Sequence, residues 1–199
     1  MRLILASESR ARREMLSAAG LQFEAMASGV DERAARASMA AIGDAVDAVS
    51  IAQQLAGAKA EAVSRAHPDA LVIGGDQVLA LGKEVFEKPA GIEAARKSLM
   101  RLRGREHALH SAVTLAEKGR VVWRHVQSAR LVMRPFSEAF LDDYLATVGP
   151  RVLGVVGAYE LEGRGVQLFE RIEGDYFTIL GMPLLALVEE LRRREVIAA

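Results

Sequence analysis

Leu3-Ile4-Leu5-Ala6-Ser7-Glu8-Ser9-Arg10-Ala11-Arg12-Arg13 and Val72-Ile73-Gly74-Gly75-Asp76-Gln77-Val78 are the two stretches that decide the fold class. Each opens as a short apolar run and ends in polar residues, the pattern of a buried strand leaving the core. After the first run Ser9 can cap a helix over about residues 10–19, which Gly20 would end. The second predicts a strand over 71–74 with Asp76 at its C-terminal end; Gly74 and Gly75 either let the backbone come close to a ligand or make a turn. In α/β sheets ligands bind at that edge.

Working outward, Phe23 to Ser28 predicts a short strand. The alanine-rich stretch 33–66 predicts a helix, interrupted near Gly43-Asp44 and firmer over 45–65. Residues 78–81 and 85–86 around Gly82-Lys83 predict a hairpin. Ala95, Leu99 and Leu102 share one face of a helix over 91–103. Strands follow at 112–116, 121–125 and 129–133, and Ser137 caps a helix to about 147. A glycine-rich loop over 154–165, strands near 166–169 and 177–180, and a helix from Pro183 to about 195 complete the chain. The order is neither strict βαβ alternation nor all-β. It predicts an α/β (mixed α+β) fold, a twisted mixed sheet flanked by helices, with residues 1–199 as a single domain.

The chain has 199 residues, 51% of them hydrophobic, and equal numbers of acidic and basic side chains. Without a basic footprint no nucleic-acid partner is expected, and any anion site must be a local concentration of charge. The absence of cysteine excludes disulfides and thiolate metal sites. His107 and His110 stand three apart in a strand-like stretch, which puts them on opposite faces and argues against a shared metal. The apolar run at the N-terminus is too short for a signal-peptide core or a membrane span, so a cytoplasmic protein is expected, with no membrane partner.

Ser7, Ser9 and Arg12 bring hydroxyls, free backbone N–H groups and a guanidinium to one strand-to-helix turn, a natural phosphate site. The glycine-rich Lys-Ser/Thr pattern of an NTPase phosphate loop is missing. Asp76 suits a divalent metal or an activated water, or else a turn hydrogen-bonded to its own backbone. Glu32 either favours a helix start or joins Asp76 in holding Mg²⁺ or Mn²⁺ while phosphates complete the shell. Lys59, Lys83 and Lys88 are further cations. Together these residues point to an enzyme acting on a phosphorylated small molecule. Asp76→Asn is expected to cost rate while leaving stability little changed.

The whole chain from Leu3 to about Leu191 resembles the Maf family of nucleoside triphosphate pyrophosphatases. Ala6-Ser7-Glu8-Ser9-Arg10-Ala11-Arg12 with Met15-Leu16 resembles the family's opening block. Gly29-Val30-Asp31-Glu32, Leu55-Ala56-Gly57-Ala58-Lys59-Ala60, Gly74-Gly75-Asp76-Gln77-Val78 and Glu87-Lys88-Pro89 are similar to its middle blocks. Gly157-Ala158-Tyr159, Glu162-Gly163 and Phe169 to Asp175 resemble its C-terminal signature.

The resemblance implies a two-lobed, inosine-triphosphatase-like fold with a central cleft, and a homodimer. It implies metal-dependent hydrolysis of a nucleoside triphosphate to the monophosphate and pyrophosphate, a house-cleaning of non-standard nucleotides. The alternatives are a dTTP/UTP pyrophosphatase or a non-catalytic regulator of septum formation on the same fold. By position, Asp76 would be the acidic catalytic residue, as base or metal ligand, with Glu32 assisting the metal. Ser7, Arg12, Lys59 and Lys88 would bind phosphates.

Gln77 and Glu162 would set base selectivity and resemble the 7-methyl-GTP-preferring branch. A carboxylate there can accept from the guanine donor edge. The chain departs from the family pattern at Arg10, which stands for a proline, and at Ala11, which matches neither branch. It departs again at His110-Ser111, where a Thr-Gly turn is common.

Overall fold

The structure is a computed structural model that describes residues 1–41 and 47–198. The interruption expected at Gly43-Asp44 lies outside the described residues. In chain order the elements are β1 (Arg2–Ala6), α1 (Arg10–Ala18), β2 (Glu24–Met26), α2 (Glu32–Ala41) and α3 (Ala48–Ala66). Then come β3 (Ala70–Leu81), β4 (Glu84–Phe86), α4 (Ile92–Leu102), β5 (Glu106–Glu117), β6 (Arg120–Met133) and α5 (Glu138–Val148). Three 3₁₀ turns (Gly149–Gly154, Val156–Ala158, Arg164–Leu168) lead to β7 (Phe169–Glu173), α6 (Tyr176–Ile179) and α7 (Leu184–Arg193).

The strands form one mixed seven-stranded sheet in the order β2-β1-β3-β5-β6-β7, with β4 also paired to β3. β1 runs parallel to β2 and β3, and the remaining pairs are antiparallel. The mixed α/β sheet flanked by helices is therefore as expected.

Four local expectations are corrected. β3 does not stop at Gly74 but runs on through Asp76 to Leu81. Neither Gly74 nor Gly75 takes a positive φ, and both pair in register with β5. These glycines make room rather than a turn: a Cβ on Gly74 would sit 2.2 Å from the Ala56 carbonyl oxygen and 2.8 Å from the Ala60 Cβ of α3. Second, 121–125 and 129–133 are one strand, β6, because it pairs continuously with β5 across the intervening polar residues. Third, 177–180 is not a strand. Asp175 caps the one-turn helix α6, accepting from Thr178 N at 2.8 Å, and that local capping overrides the apolar run. The expected strand at 166–169 is likewise mostly 3₁₀ turn, with β7 beginning at Phe169.

The two faces of β3 differ. On one, Val72 and Val78 pack with Ala60, Val63, Ala52 and Ala56 of α3, whose small residues let the helix lie close. On the other, Ile73 belongs to a core shared with α1 and α7, and Leu79 to a second core shared with α4 and α5. Between Ile73 and Leu79 this face carries only Gly75 and Gln77. The apolar core is interrupted there, dividing it into two lobes with a cleft between them. The interruption coincides with a gap in pairing. β1 covers one edge of β3 as far as Gly74, β4 covers it from Leu79, and residues 75–78 have no strand partner on that edge.

Candidate active site

The cleft is a cavity of about 800 Å³ lined by Ser7, Ser9, Arg12, Glu32, Lys59, Asp76, Gln77, Lys88 and Glu162, all singled out in the sequence, whereas Lys83 is not among its lining residues. Four of them are buried polar groups: Ser7 and Arg12 are each 8% exposed, Lys59 6% and Asp76 3%. Asp76 thus sits within a strand rather than at its end, but where β1 has already ended. The cleft reaches it through the gap in pairing.

Regular elements deliver each of these side chains. Ser9 caps α1 by accepting from Arg12 N; the first-turn N–H groups of Arg10 and Ala11 have no intrahelical acceptor, and both residues line the cavity. Arg12 reaches inward from α1: its Nε donates to the Gly181 carbonyl at 2.8 Å and its Nη1 to Ser7 Oγ at 3.3 Å. The guanidinium lies against Gly75, where a Cβ would come within 3.1 Å of Nε. Lys59 lies one turn along α3 from Leu55, and the close approach permitted by Gly74 carries its Nζ to 2.6 Å from Asp76 Oδ1. The same Nζ stands 2.7 Å from Glu32 Oε1 at the start of α2.

Burial pushes the Asp76 carboxyl above its ordinary range, against the attraction of Lys59 and Arg12. Burial acts on Glu32 in the same direction. There the Lys59 hydrogen bond and charge, with the charges of Lys88 and Arg36, outweigh it and hold that carboxyl below its ordinary value. The second oxygen of Asp76, Oδ2, is buried with no hydrogen-bond partner. A buried carboxylate oxygen with its lone pairs open to the cavity suits a water or a cation. The Lys59–Asp76 pair also revises the expectation for Asp76→Asn, because the substitution would strip a buried ammonium of one of its two partners.

No group of three or more His, Asp or Glu side chains able to hold a metal ion occurs among the described residues. Asp76 and Glu32 are brought together on Lys59 Nζ. That set fits a hard divalent cation whose remaining positions are taken by phosphate oxygens and water.

The selectivity residues sit differently. Gln77 points to the face opposite Asp76. Its Nε2 donates to the carbonyls of Thr178 and Ile179 at 3.2 and 2.9 Å and to Ser111 Oγ at 3.0 Å. Two backbone carbonyls can only accept, which fixes the amide's orientation and leaves Oε1 as its free group. Ser111, one of the departures from the family pattern, donates to the Thr178 carbonyl at 2.7 Å and so ties β5 to α6. His110, beside it, shares a hydrogen bond with Ser128. Glu162 and Lys88 line the cavity as exposed side chains.

Sequence reasoning missed Glu160, Arg10 and Arg151. Glu160 Oε1 accepts from Arg10 Nη2 at 2.7 Å and Oε2 from Arg151 Nη2 at 2.6 Å. All three line the cavity. The one signal for Glu160 was its place two residues before Glu162 in the same loop. Arg10 stood out only as a departure from a family pattern.

Residues 2–194 match the family described as Maf-like protein. The chain is 52% identical over 197 residues to a 7-methyl-GTP pyrophosphatase of Rhizobium meliloti (strain 1021), covering 99% of this chain and 98% of that protein. It is 47% identical over 197 residues to a 7-methyl-GTP pyrophosphatase of Brucella abortus biovar 1, covering 99% and 98%. It is 49% identical over 193 residues to a nucleoside triphosphate pyrophosphatase of Hyphomonas neptunium, covering 97% and 96%.

Proposed function

The chain belongs to the Maf-like protein family, and from that membership we infer that it is a nucleoside triphosphate pyrophosphatase with a house-cleaning role. It hydrolyses the anhydride between the α- and β-phosphates, releasing a nucleoside monophosphate and pyrophosphate. The observation that carries the residue roles is the convergence of Ser7, Arg12, Lys59 and Asp76, all buried, on one cavity. Charged side chains are seldom buried without a partner, and here they are gathered around a space large enough for a nucleotide.

In this assignment Arg12, Lys59, Lys88 and the Ser7 hydroxyl bind the triphosphate, with the first-turn N–H groups of α1 beside them. Their positive charge offsets what accumulates on the phosphate oxygens as the anhydride breaks. Arg12 is held rigid by Gly181 and Ser7, so it is organised before substrate arrives. Asp76 takes the proton of the attacking water at its free Oδ2. A carboxyl raised by burial is closer to operating pH than an ordinary aspartate and is the better base for it. A divalent cation, when bound by Asp76 and Glu32, would supply further charge neutralisation at the phosphates. Mg²⁺ and Mn²⁺ are the two that this donor set suits best.

Base selectivity is assigned to Gln77 and Glu162, with guanine-type triphosphates, 7-methyl-GTP among them, preferred to dTTP and UTP. Residues 1–199 are taken as one catalytic unit, because β3 contributes to both lobes and to the site between them. The proposal includes a homodimer in the cytoplasm, without nucleic-acid partners. No helix among the described residues is long and apolar enough to cross a membrane.

The test is pyrophosphate release from a panel of nucleoside triphosphates, including 7-methyl-GTP, with Mg²⁺ or Mn²⁺ and with chelator. Release from a guanine nucleotide that chelator abolishes is expected. Release of inorganic phosphate alone, or greater efficiency on dTTP or UTP, would overturn the assignment.

A further inference from the structure

Two carboxylates of the loop after Ala158 reach the cavity, and they are held differently. Glu162 is exposed. The Glu160 side chain is only 11% exposed, and each of its oxygens is taken by a different arginine, Arg10 at 2.7 Å and Arg151 at 2.6 Å. Arg10 is the first residue of α1, at the phosphate end of the cavity, and Arg151 lies in the 149–154 turn of the opposite wall. The loop is also pinned from the core side. The Tyr144 hydroxyl donates to the Ala158 carbonyl at 3.1 Å, and the Tyr159 hydroxyl shares a 2.8 Å hydrogen bond with His107 Nε2. Ala158 has φ +59°, a strained value for a residue with a Cβ that persists only where the surroundings enforce it.

We propose that Glu160 is a specificity-determining residue of this pyrophosphatase, oriented by Arg10 and Arg151, which accepts paired hydrogen bonds from the nucleoside part of the substrate. The proposal rests on the activity assigned above. A carboxylate offers about four lone-pair sites. The two arginines occupy one on each oxygen, leaving one on each for an incoming pair of adjacent donors. The nucleoside presents two such pairs: the N1–H and N2–H₂ edge of guanine, and the 2′ and 3′ hydroxyls of ribose. A phosphate has only acceptors at neutral pH and would be repelled. A carboxylate locked on both sides is preorganised to reject an analogue that lacks a donor, because the acceptor is then left unmatched.

The experiment compares kcat/KM for GTP, ITP and dGTP. ITP lacks the 2-amino donor and dGTP lacks the 2′ hydroxyl. The wild type is expected to favour GTP over one of them by about tenfold or more, the scale of one lost donor in a built polar site. Glu160→Gln is expected to bring that ratio to within about threefold of unity, as expected when charge-assisted acceptance is lost. A ratio lost against ITP identifies the base as the donor, and one lost against dGTP identifies the ribose. Arg10→Ala and Arg151→Ala, at side chains about half exposed, should lower the same ratio less, and they serve if Glu160→Gln does not fold. A merely structural clamp would reduce kcat/KM equally for all three nucleotides. Unchanged ratios in folded variants, or a wild type indifferent to both analogues, would overturn the proposal. Failure of the wild type to release pyrophosphate from any of the three would instead refute the activity itself.

Discussion

The two walls of the cleft are built in opposite ways. On the wall proposed for phosphate Ser7, Arg12, Lys59 and Asp76 project from β1, α1, α3 and β3 or their immediate ends, and all are buried. On the wall proposed for the nucleoside Arg151, Glu160 and Glu162 project from 3₁₀ turns and loops in which Gly149, Gly157 and Ala158 take positive φ. The contrast separates two tasks. Charge neutralisation at a triphosphate is the same for every nucleotide, and it is served by buried side chains on rigid elements. Discrimination among nucleosides depends on a few oriented groups, and these stand on backbone that can vary without disturbing the sheet.

The largest effect is expected on the phosphate wall, at Asp76. Asp76→Asn keeps the size but removes the proposed base and a partner of Lys59. Turnover should fall about a hundredfold or more, the scale of a lost general base. Stability in urea should fall by about 1–3 kcal/mol, because one buried partner is lost while Glu32 still holds the ammonium. Normal pyrophosphate release by the folded variant would remove Asp76 from the chemistry.

The next effect belongs to the nucleoside wall and is a dependence on pH. Burial lowers the pKa of His107 to about 4. Unfolded, it would titrate near its ordinary value of 6.5. Between those values the unfolded chain binds a proton that the folded protein does not, so stability is complete above about pH 6.5 and falls as pH drops toward 4. The shift corresponds to roughly 3 kcal/mol. Denaturation midpoints measured from pH 7 to 4 should show that decline, and His107→Phe should flatten this part of it. A wild-type profile indistinguishable from that variant's would show that the Tyr159 anchor does not act through a neutral imidazole.

The same contrast explains what could be read from the sequence. The mixed sheet, the Ser9 and Ser137 caps and the 82–83 hairpin were legible because periodicity and capping are local. Arg12, Glu32, Lys59, Asp76 and Lys88 were legible as charges beside apolar runs and Ser7 as a hydroxyl at a strand end, and the resemblance to a family linked segments that nothing local connects. The end of β3 was placed too early, at Gly74, because a glycine needed for close helix approach looks the same in sequence as one needed for a turn. The Glu160 clamp was hidden because its arginines lie 150 and 9 residues away, a relation set by tertiary structure alone.

Returning to the phosphate wall, Arg12→Ala should act mainly on binding. The guanidinium is preorganised, and a charge-assisted contact to phosphate is worth about 1.5–3 kcal/mol. KM for the nucleotide should rise by about ten- to a hundredfold, with inhibition by added pyrophosphate weakened to match. An unchanged KM with a large loss of kcat would show that Arg12 serves the transition state rather than the ground state, and would narrow the difference between the two walls.

The smallest effect is expected at Glu162, and its size measures how much the nucleoside wall depends on burial. An exposed carboxylate competes with water for the guanine edge, so its net contribution is at the low end, about 0.5–1.5 kcal/mol. Glu162→Gln replaces two acceptors with one acceptor and one donor, which disfavours a guanine edge of adjacent donors. It suits a uracil or thymine edge, where one donor stands between two acceptors. The ratio of kcat/KM for GTP over UTP should fall about two- to tenfold, with thermal stability unchanged. Should Glu162→Gln shift that ratio more than Glu160→Gln does, the exposed carboxylate is the principal base reader, and the clamp at Glu160 holds the loop in place for it.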